Sequence, residues 1–585
     1  MVLLRKTLYV VFAAMLLASC ANRGIGPQGG PKDSIPPVPL KSEPEIGVLE
    51  WKGKCIEVTF DEYIQLDNIA ANMMMSPPQQ NPPDVKARGK RLIIQFQDSL
   101  RDSTTYTIDF GDAVCDFHEK VPLHGYTFYF STWSEIDTLE TMGFVYDAET
   151  LNPLSGITVG IHTDQSDTAF VKHPFTRIAK TDSVGFFRIG NVHAGTYRLY
   201  AVEDISRDYR LTVGEALAFT QEPISVYPVV RDTTDTVPYV GPLSTLFLFK
   251  EQQQKLYLQR TLRDEQHRVV LLFSSAPDSL PSIRPLIDTL HHHVQYSTKG
   301  DTVTIWLTDS TSIGIDSLFF AARYRQTDSL NHLEWCTDTL RAIWRAPKMT
   351  TKMQEAQDRK NRNRRLELKC NARKGFEVYD TLQLVCTTPL RDIDTTAIAI
   401  YERVDTTRKS VRFTFAPYDS LTMHLRFIAP LEPTKEYELH LDSGALHDVY
   451  GITHVDANYA LQVKANSDYA TLNVKITPFD PKARIQVLNN KDKVLREMPA
   501  SEEGAFFEYL KADTYYLRLY IDSDGDGKWT TGSWEEHRQP EEVYCFPGKV
   551  QTKSNWDFEE VWDYTAKPRM EAKPKELIKT SSKKK

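Results

Sequence analysis

Residues 513–533 read DTYYLRLYIDSDGDGKWTTGS, and residues 195–215 read GTYRLYAVEDISRDYRLTVGE. Laid one on the other without a gap, Thr196 falls on Thr514, Tyr197 on Tyr515, Asp204 on Asp522, Asp208 on Asp526 and Gly214 on Gly532. Each stretch opens with aromatic, aliphatic and β-branched residues in partial alternation, the pattern of a half-buried strand. Each ends in Asp, Ser and Gly, which favour turns and tolerate positive φ. A strand and acidic turn used twice in one chain is an internal repeat.

A second repeat lies outside the first. LRDSTTYTIDFGDAVCD, residues 100–116, parallels LEPTKEYELHLDSGALHD, residues 431–448. Both run from Leu through a Thr-bearing turn to Tyr and a strand, and both close on Ala, a hydrophobic residue, one more residue and Asp. The stretches CIEVTFDEYI, RLIIQF and TTYTIDF alternate similarly and are separated by Pro, Asn and Gly. Short strands at such spacing predict β-sandwiches. At 585 residues the chain exceeds a single core, and roughly three to six domains are expected. The net charge of −8 provides no global basic field, so no nucleic-acid partner is expected. RAPKMTTKMQEAQDRKNRNRR, residues 345–365, is basic but lacks the interleaved aromatics that base stacking requires.

The N-terminus, MVLLRKTLYVVFAAMLLASC, has Arg5 and Lys6 before an apolar run from Leu8 to Ala18. This is the pattern of a secretory signal and is too short for a convincing span. Leu17-Ala18-Ser19-Cys20 resembles a bacterial lipobox. That resemblance implies cleavage before Cys20 and acylation of its sulfur, so the chain meets the membrane through lipid. The Gly24-x-Gly26-x-x-Gly29 that follows lacks the preceding strand and following helix of a dinucleotide site and reads as a Gly/Pro tether.

Further resemblances divide the chain. Val58-Thr59-Phe60-Asp61-Glu62, Ser76-Pro77, Lys90-Arg91-Leu92 and the 100–116 run resemble the bacterial Ig-like domain of the S-layer (SbsA) type. Gly143-x-Val145, Pro153-Leu154-x-Gly156, Thr181-Asp182-x-x-Gly185-x-Phe187 and Ala194-Gly195-x-Tyr197 resemble the carboxypeptidase regulatory-like, or prealbumin-like, domain, a name that carries no peptidase activity. With the lipobox, the GGPKD spacer at 29–33 and QPEEV at 539–543, the chain resembles a family of Bacteroidetes lipoproteins with no established catalytic activity; Thr530 departs from that pattern, where Asp is expected. The expected fold class is therefore all-β: tandem Ig-like and prealbumin-like sandwiches behind a lipoprotein signal peptide. The expected order is a signal at 1–20, a tether at 21–40, an Ig-like domain at 41–134 and a prealbumin-like domain at 137–228. A middle sandwich at 245–345, a charged linker at 346–365, a second Ig-like domain at 366–465, a second prealbumin-like domain at 469–563 and a disordered Lys-rich tail at 564–585 follow.

The acidic loop is the main candidate site. Asp522, Asp524 and Asp526 occupy the first, third and fifth positions of a calcium loop, Gly527 the sixth and Lys528 the seventh, where a backbone carbonyl would serve. The twelfth position is Ser533, so an EF-hand lacks its bidentate Glu, and Glu535 and Glu536 lie close enough to substitute only if the loop bends. A strand precedes the loop and no amphipathic helix follows it. The open readings are a calcium clip and a solvated turn. In the first copy Glu215 holds the twelfth position, but Tyr209 replaces the Gly and is expected to resist the sharp turn. Cys55 with Cys115, and Cys370 with Cys386, are the candidate disulfides of an exported chain, with free thiols the alternative. No His-Glu-x-x-His, Gly-x-Ser-x-Gly or Walker loop occurs, and His291–His293 reads as a polar strand end. The expected function is non-enzymatic: an outer-membrane lipoprotein, periplasm-facing rather than surface-exposed, acting as a scaffold or assembly factor. The alternative is a surface binder of glycan or protein. The expected partners are the membrane, through lipid, and an envelope protein or glycan.

Overall fold

A computed structural model describes residues 33–579, apart from 229–242, 252–254, 288, 309, 329–332, 346–349, 352–354, 356–358, 360–363, 405–406 and 418–420. The chain is a series of β-sandwiches. Signal residues 1–20, Cys20 included, most of the tether and much of the 346–365 linker lie outside the described residues. No helix among the described residues is long and apolar enough to cross a membrane.

Among the described residues, five large hydrophobic cores follow one another along the chain. The first sandwich sets strands Pro39–Glu43, Cys55–Phe60, Arg91–Gln95 and Asp84–Arg88 against Met74–Ser76, Thr105–Asp109 and Thr127–Ser131. Alternation does the work: Ile56, Val58 and Phe60 point into the core, while Glu57 and Thr59 are only part-buried. Each large apolar side chain so buried contributes about 1.5–3 kcal/mol. The fourth sandwich repeats this plan with strands Leu368–Cys370, Leu382–Cys386, His424–Ile428 and Thr414–Pro417 in one sheet. The sequence parallel of residues 100–116 with 431–448 becomes a shared device. Tyr106 and Tyr437 are buried, and their hydroxyls accept the backbone N–H of Arg101 and Glu432 at 2.7 and 2.8 Å.

The second and fifth sandwiches share one eight-strand topology. In the second, Leu139–Asp147 lies between Phe186–Val192 and Leu243–Leu248; in the fifth, Tyr469–Thr477 lies between Ala505–Lys511 and Asp557–Asp563. The facing sheets are centred on Gly195–Val202 and Thr514–Ile521, the strands of the sequence repeat. Gly143 is required here, because a Cβ would lie 1.9 Å from the Ser244 carbonyl oxygen of the neighbouring strand. The third sandwich packs Leu258–Glu265, Arg268–Phe273, Thr302–Leu307 and His292–Tyr296 against Ser282–Pro285, Ser317–Thr327 and Leu333–Ile343. His292 and His293 are ordinary members of its edge strand, in register with Leu307 and Trp306.

By contacts the chain divides into two units. One holds the first two sandwiches through Leu248; the other holds Asp147–Asn152 and Phe249–Lys579. Four expectations are corrected. Strand Pro39–Glu43 pairs with Cys55–Phe60, so the end of the 21–40 tether belongs to the first sandwich. Strand Leu243–Leu248 completes the second sandwich, so the 137–228 domain extends past its expected end and the third starts later than 245. The 564–585 tail is not a solvated chain over its described part: Ala572, Lys573 and Leu577 are buried. Finally, neither expected disulfide is formed among the described residues. Cys55 is exposed in one sheet and Cys115 buried in another. Cys370 and Cys386 stand diagonally on adjacent strands, opposite Leu384 and Leu368, a separation of about 7–8 Å that exceeds the usual reach of a disulfide.

Candidate functional site

Strand Thr514–Ile521, buried on both faces along its centre, ends at Asp522. Gly525 and Gly527, at φ 78° and 77°, then turn the chain back on itself. The Asp522 carboxylate fills the turn. Its oxygens accept the N–H groups of Gly525 at 2.7 Å and Gly527 at 2.9 Å. Asp524 accepts from the Asp526 N–H at 3.1 Å, which holds its carboxyl below the usual range. Asp526 accepts from the Lys528 N–H at 2.7 Å.

The second buried acid is Glu541. One of its oxygens accepts the Ser523 N–H at 2.6 Å and the Ser523 hydroxyl at 2.9 Å; the other accepts the Thr530 N–H at 3.0 Å. Its own carbonyl accepts the Trp529 indole N–H at 3.1 Å. Asp522 and Glu541 are 7% and 6% exposed, so these bonds form in a dry place and hold the loop from both ends. Asp522, Asp524 and Glu541 each offer an oxygen within 4.8 Å of the others. Of the residues expected from sequence, Asp526, Lys528 and Glu535 stand outside this group and are exposed. Glu541 replaces Glu535 because Ser533 and Arg538 pair backbone to backbone in a small hairpin, which lifts Glu535 away and returns the chain at Glu541. The signal was the QPEEV stretch, which contains Glu541. Positive charge also sits nearby: Lys482 donates to the Ser523 carbonyl at 3.2 Å, and Arg484 lines the same shallow cavity as Asp522 and Asp524.

The first copy has the same frame. Asp204 accepts the N–H groups of Asp208 and Tyr209, both at 3.2 Å. Glu215 accepts those of Ile205 at 2.9 Å, Ser206 at 3.1 Å and Thr212 at 3.1 Å. Ile205 and Thr212 align with Ser523 and Thr530, so Glu215 and Glu541 are equivalent braces. Arg207 and Tyr209 take φ 60° and 58° at the positions of Gly525 and Gly527. Tyr209 therefore does not prevent the turn, contrary to expectation; the two braces compensate the cost of a left-handed non-glycine residue. Burial raises Asp204 above the usual carboxylate range. Asp208, against the upward pull of burial, is lowered by Arg210, Ser206 and Thr212. Ser206 stands where the second copy has Asp524, and the three-acid group does not form.

Two other clusters gather possible ligands: Asp116 with His118 and Glu119, and His440 with Asp442 and Asp456. In the first, Asp116 is a turn brace that accepts the N–H groups of His118 and Glu119. In the second, His440 lies 2.5 Å from the Asn458 amide oxygen and 2.9 Å from Asp442, and these contacts raise its pKa.

Comparison with known proteins bears on the first sandwich. Residues 33–132 match the bacterial Ig-like domain family. The Ig-like match spans the whole first core and includes the Tyr106 device. No curated protein matches the chain. Among solved structures, domains 1–6 of the surface layer protein SbsC align at 10% identity, over 87% of this chain and 66% of that one, with a TM-score of 0.13. The major pilin subunit BcpA of Bacillus cereus aligns at 9% identity over 72% and 99%, with a TM-score of 0.12. The human desmocollin-1 ectodomain aligns at 10% identity over 70% and 75%, with a TM-score of 0.14. Overlaps this loose fix neither the arrangement of the domains nor a function.

Proposed function

We propose that this chain is a non-enzymatic lipoprotein of a Gram-negative outer membrane, held by lipid on Cys20 and acting at the periplasmic face as a scaffold or assembly factor. The observation that carries this reading is the way neighbouring sandwiches inside each unit are fastened. In the first unit Arg177 of the second sandwich, its side chain 7% exposed, donates to the Thr105 carbonyl of the first and pairs with Asp137 at 3.3 Å. The Ile178 N–H donates to the Ser76 hydroxyl at 3.1 Å. In the second unit Tyr450 of the fourth sandwich donates to the Leu307 carbonyl of the third at 2.9 Å. Glu377 of the fourth takes the Tyr469 hydroxyl at 2.6 Å, Lys464 at 3.0 Å and Lys511, from the fifth, at 2.9 Å. Buried polar bonds have directional geometry, so such junctions fix spacing where a bare linker would not. A protein built to hold distance suits a scaffold, and this role assigns no reaction to the chain.

Calcium belongs to the proposal only at Asp522, Asp524 and Glu541. It would offset the mutual repulsion of the three acids, two from the turn and one from beyond the hairpin. A calcium titration that leaves the melting temperature of the purified chain unchanged removes it.

Two cell experiments test the placement. Proteinase K should leave the protein whole on intact cells and digest it after lysis. Digestion on intact cells would overturn the periplasmic placement and favour the alternative, a surface-exposed binder of glycan or protein. The parent chain should incorporate labelled palmitate and the Cys20→Ala chain should not, and equal labelling of the two would overturn the lipid anchor on Cys20. The binder reading has its own support in a cationic, aromatic face on the third sandwich.

A further inference from the structure

The three-stranded sheet of the third sandwich has one face in the core and one in solvent. Its register sets Phe319 opposite Arg341, Arg323 opposite Thr337 and Arg325 opposite Trp335, with Arg284 opposite Ala321 on the third strand. The alternate residues, among them Leu318, Phe320, Tyr324 and Leu340, fill the core, so the first set faces outward. No outward register position on the three strands carries a carboxylate. Asp338 is in register with Ala322 on the core-side row and is taken up by the Tyr324 hydroxyl at 2.6 Å, while Glu334, in register with Gln326, is exposed at the start of its strand. Asp278 reaches the face from a loop and pairs with Arg325 at 2.5 Å. Arg284, Arg323 and Arg341 form no ion pair among the described residues.

The aromatics are part of the same surface. Trp335 is 55% exposed and Phe319 39%. The Arg323 guanidinium stands 5.0 Å over the Trp335 ring, and that of Arg341 stands 5.9 Å from the Phe319 ring. A guanidinium over an aromatic ring is restrained by it and keeps N–H groups for a carboxylate, although one Arg341 N–H donates to the Ser317 hydroxyl at 3.5 Å. The longer strands have eleven residues each, so the face runs about 35 Å, the length of several sugar units and far more than a small anion. On a chain of net charge −8, a face with three arginines outside any ion pair among the described residues is complementary to an anionic partner.

We propose that this face binds an acidic glycan, a polysaccharide bearing carboxylates. Arg284, Arg323 and Arg341 take the carboxylates. Trp335 and Phe319 stack on the C–H faces of sugar rings, whose partial positive charge meets the negative ring face. The inference goes beyond the scaffold reading and rests only on glycan binding, not on which face of the membrane the chain occupies. Single-stranded nucleic acid uses similar groups, but the export signal of the N-terminus directs the chain away from it, and it forms one arm of the test.

The experiment is calorimetric titration of the full chain, purified in detergent, with polygalacturonate, neutral dextran and oligo-dT. Polygalacturonate should bind, more weakly as salt rises, and dextran should give no heat. Arg323→Gln with Arg341→Gln should raise the Kd at least about tenfold, the scale of one lost charge-assisted bond. Trp335→Ala should raise it several-fold. These side chains lie outside the core, so unchanged melting is expected, and Arg284→Gln is the milder second variant. Absence of polygalacturonate binding, equal binding by the variants, or equally tight oligo-dT binding with the same variant dependence would each overturn the proposal. Because the titration uses purified protein, its failure leaves the protease result on membrane placement standing, and the reverse also holds.

Discussion

At the scale of single residues, the acidic loop shows how a ligand count along the sequence goes astray. Counting from Asp522 leads to Ser533 and then to Glu535, since a calcium loop closes after twelve positions. The chain instead inserts the Ser533–Arg538 hairpin and closes on Glu541. The three aspartates were legible because Asp and Gly have strong local preferences. Glu541 was not, because its partners are donors separated from it by the hairpin. Glu541→Ala removes the acceptor of three donors in a buried place and should cost about 2–3 kcal/mol. Glu535→Ala, at an exposed residue, should stay within about 0.5 kcal/mol. Urea unfolding of both variants measures the difference. Equal values would mean that Glu541 does not brace the loop.

At the scale of elements, the informative features are where one sandwich meets the next. Glu377 is pulled up by burial and pulled down further by the Tyr469 hydroxyl, Lys511 and Lys464, which leaves its carboxyl at about 2 against an ordinary 4.5. A lowered carboxyl stabilises the fold at pH above its ordinary value, and that contribution is lost as pH falls from about 4.5 toward 2. Discounted for the exposure of Lys464 and Lys511, it is on the order of 2 kcal/mol. Glu377→Gln should therefore be less stable than the parent at pH 7 by about that amount, with the gap closing near pH 2. A gap of the same size at both pH values would show that the charge of Glu377 is not what fastens the junction. The strands themselves were legible, since alternation marks them one by one. The junction was not: Glu377 and Lys511 lie in different sandwiches, and no local pattern announces their pairing.

At the scale of the whole molecule, the C-terminal segment changes meaning. By composition residues 564–585 are a Lys-rich tail. In the second unit Lys573, its side chain 1% exposed, pairs with Asp492, 2% exposed, at 2.7 Å and donates to the Thr150 carbonyl at 2.6 Å. Arg518 lies 3.9 Å from the same Asp492 carboxylate. Removing one member of such a pair strands a buried charge. Lys573→Met should destabilise the second unit by about 3–5 kcal/mol, and truncation after residue 570 should do at least as much. Differential scanning calorimetry should show the lower-temperature shift in one transition only. A truncated chain that melts like the parent would return the segment to the status of a tail.

What the sequence by itself determined is what short-range physics controls. Period-two alternation marked the strands, Gly and Asp marked the turns, and two internal repeats announced paired domain types that recur in the observed topologies. What only the tertiary structure decided are relations between residues far apart in the chain: Glu541 rather than Glu535 at the loop, Leu243–Leu248 completing the second sandwich, and Lys573 buried on Asp492. The outward arginine and aromatic row of the third sandwich belongs with these, because it needs three strands in register. Side-chain periodicity is set by each residue's immediate neighbours. Burial and charge pairing are set by whichever surfaces the packed sheets bring together.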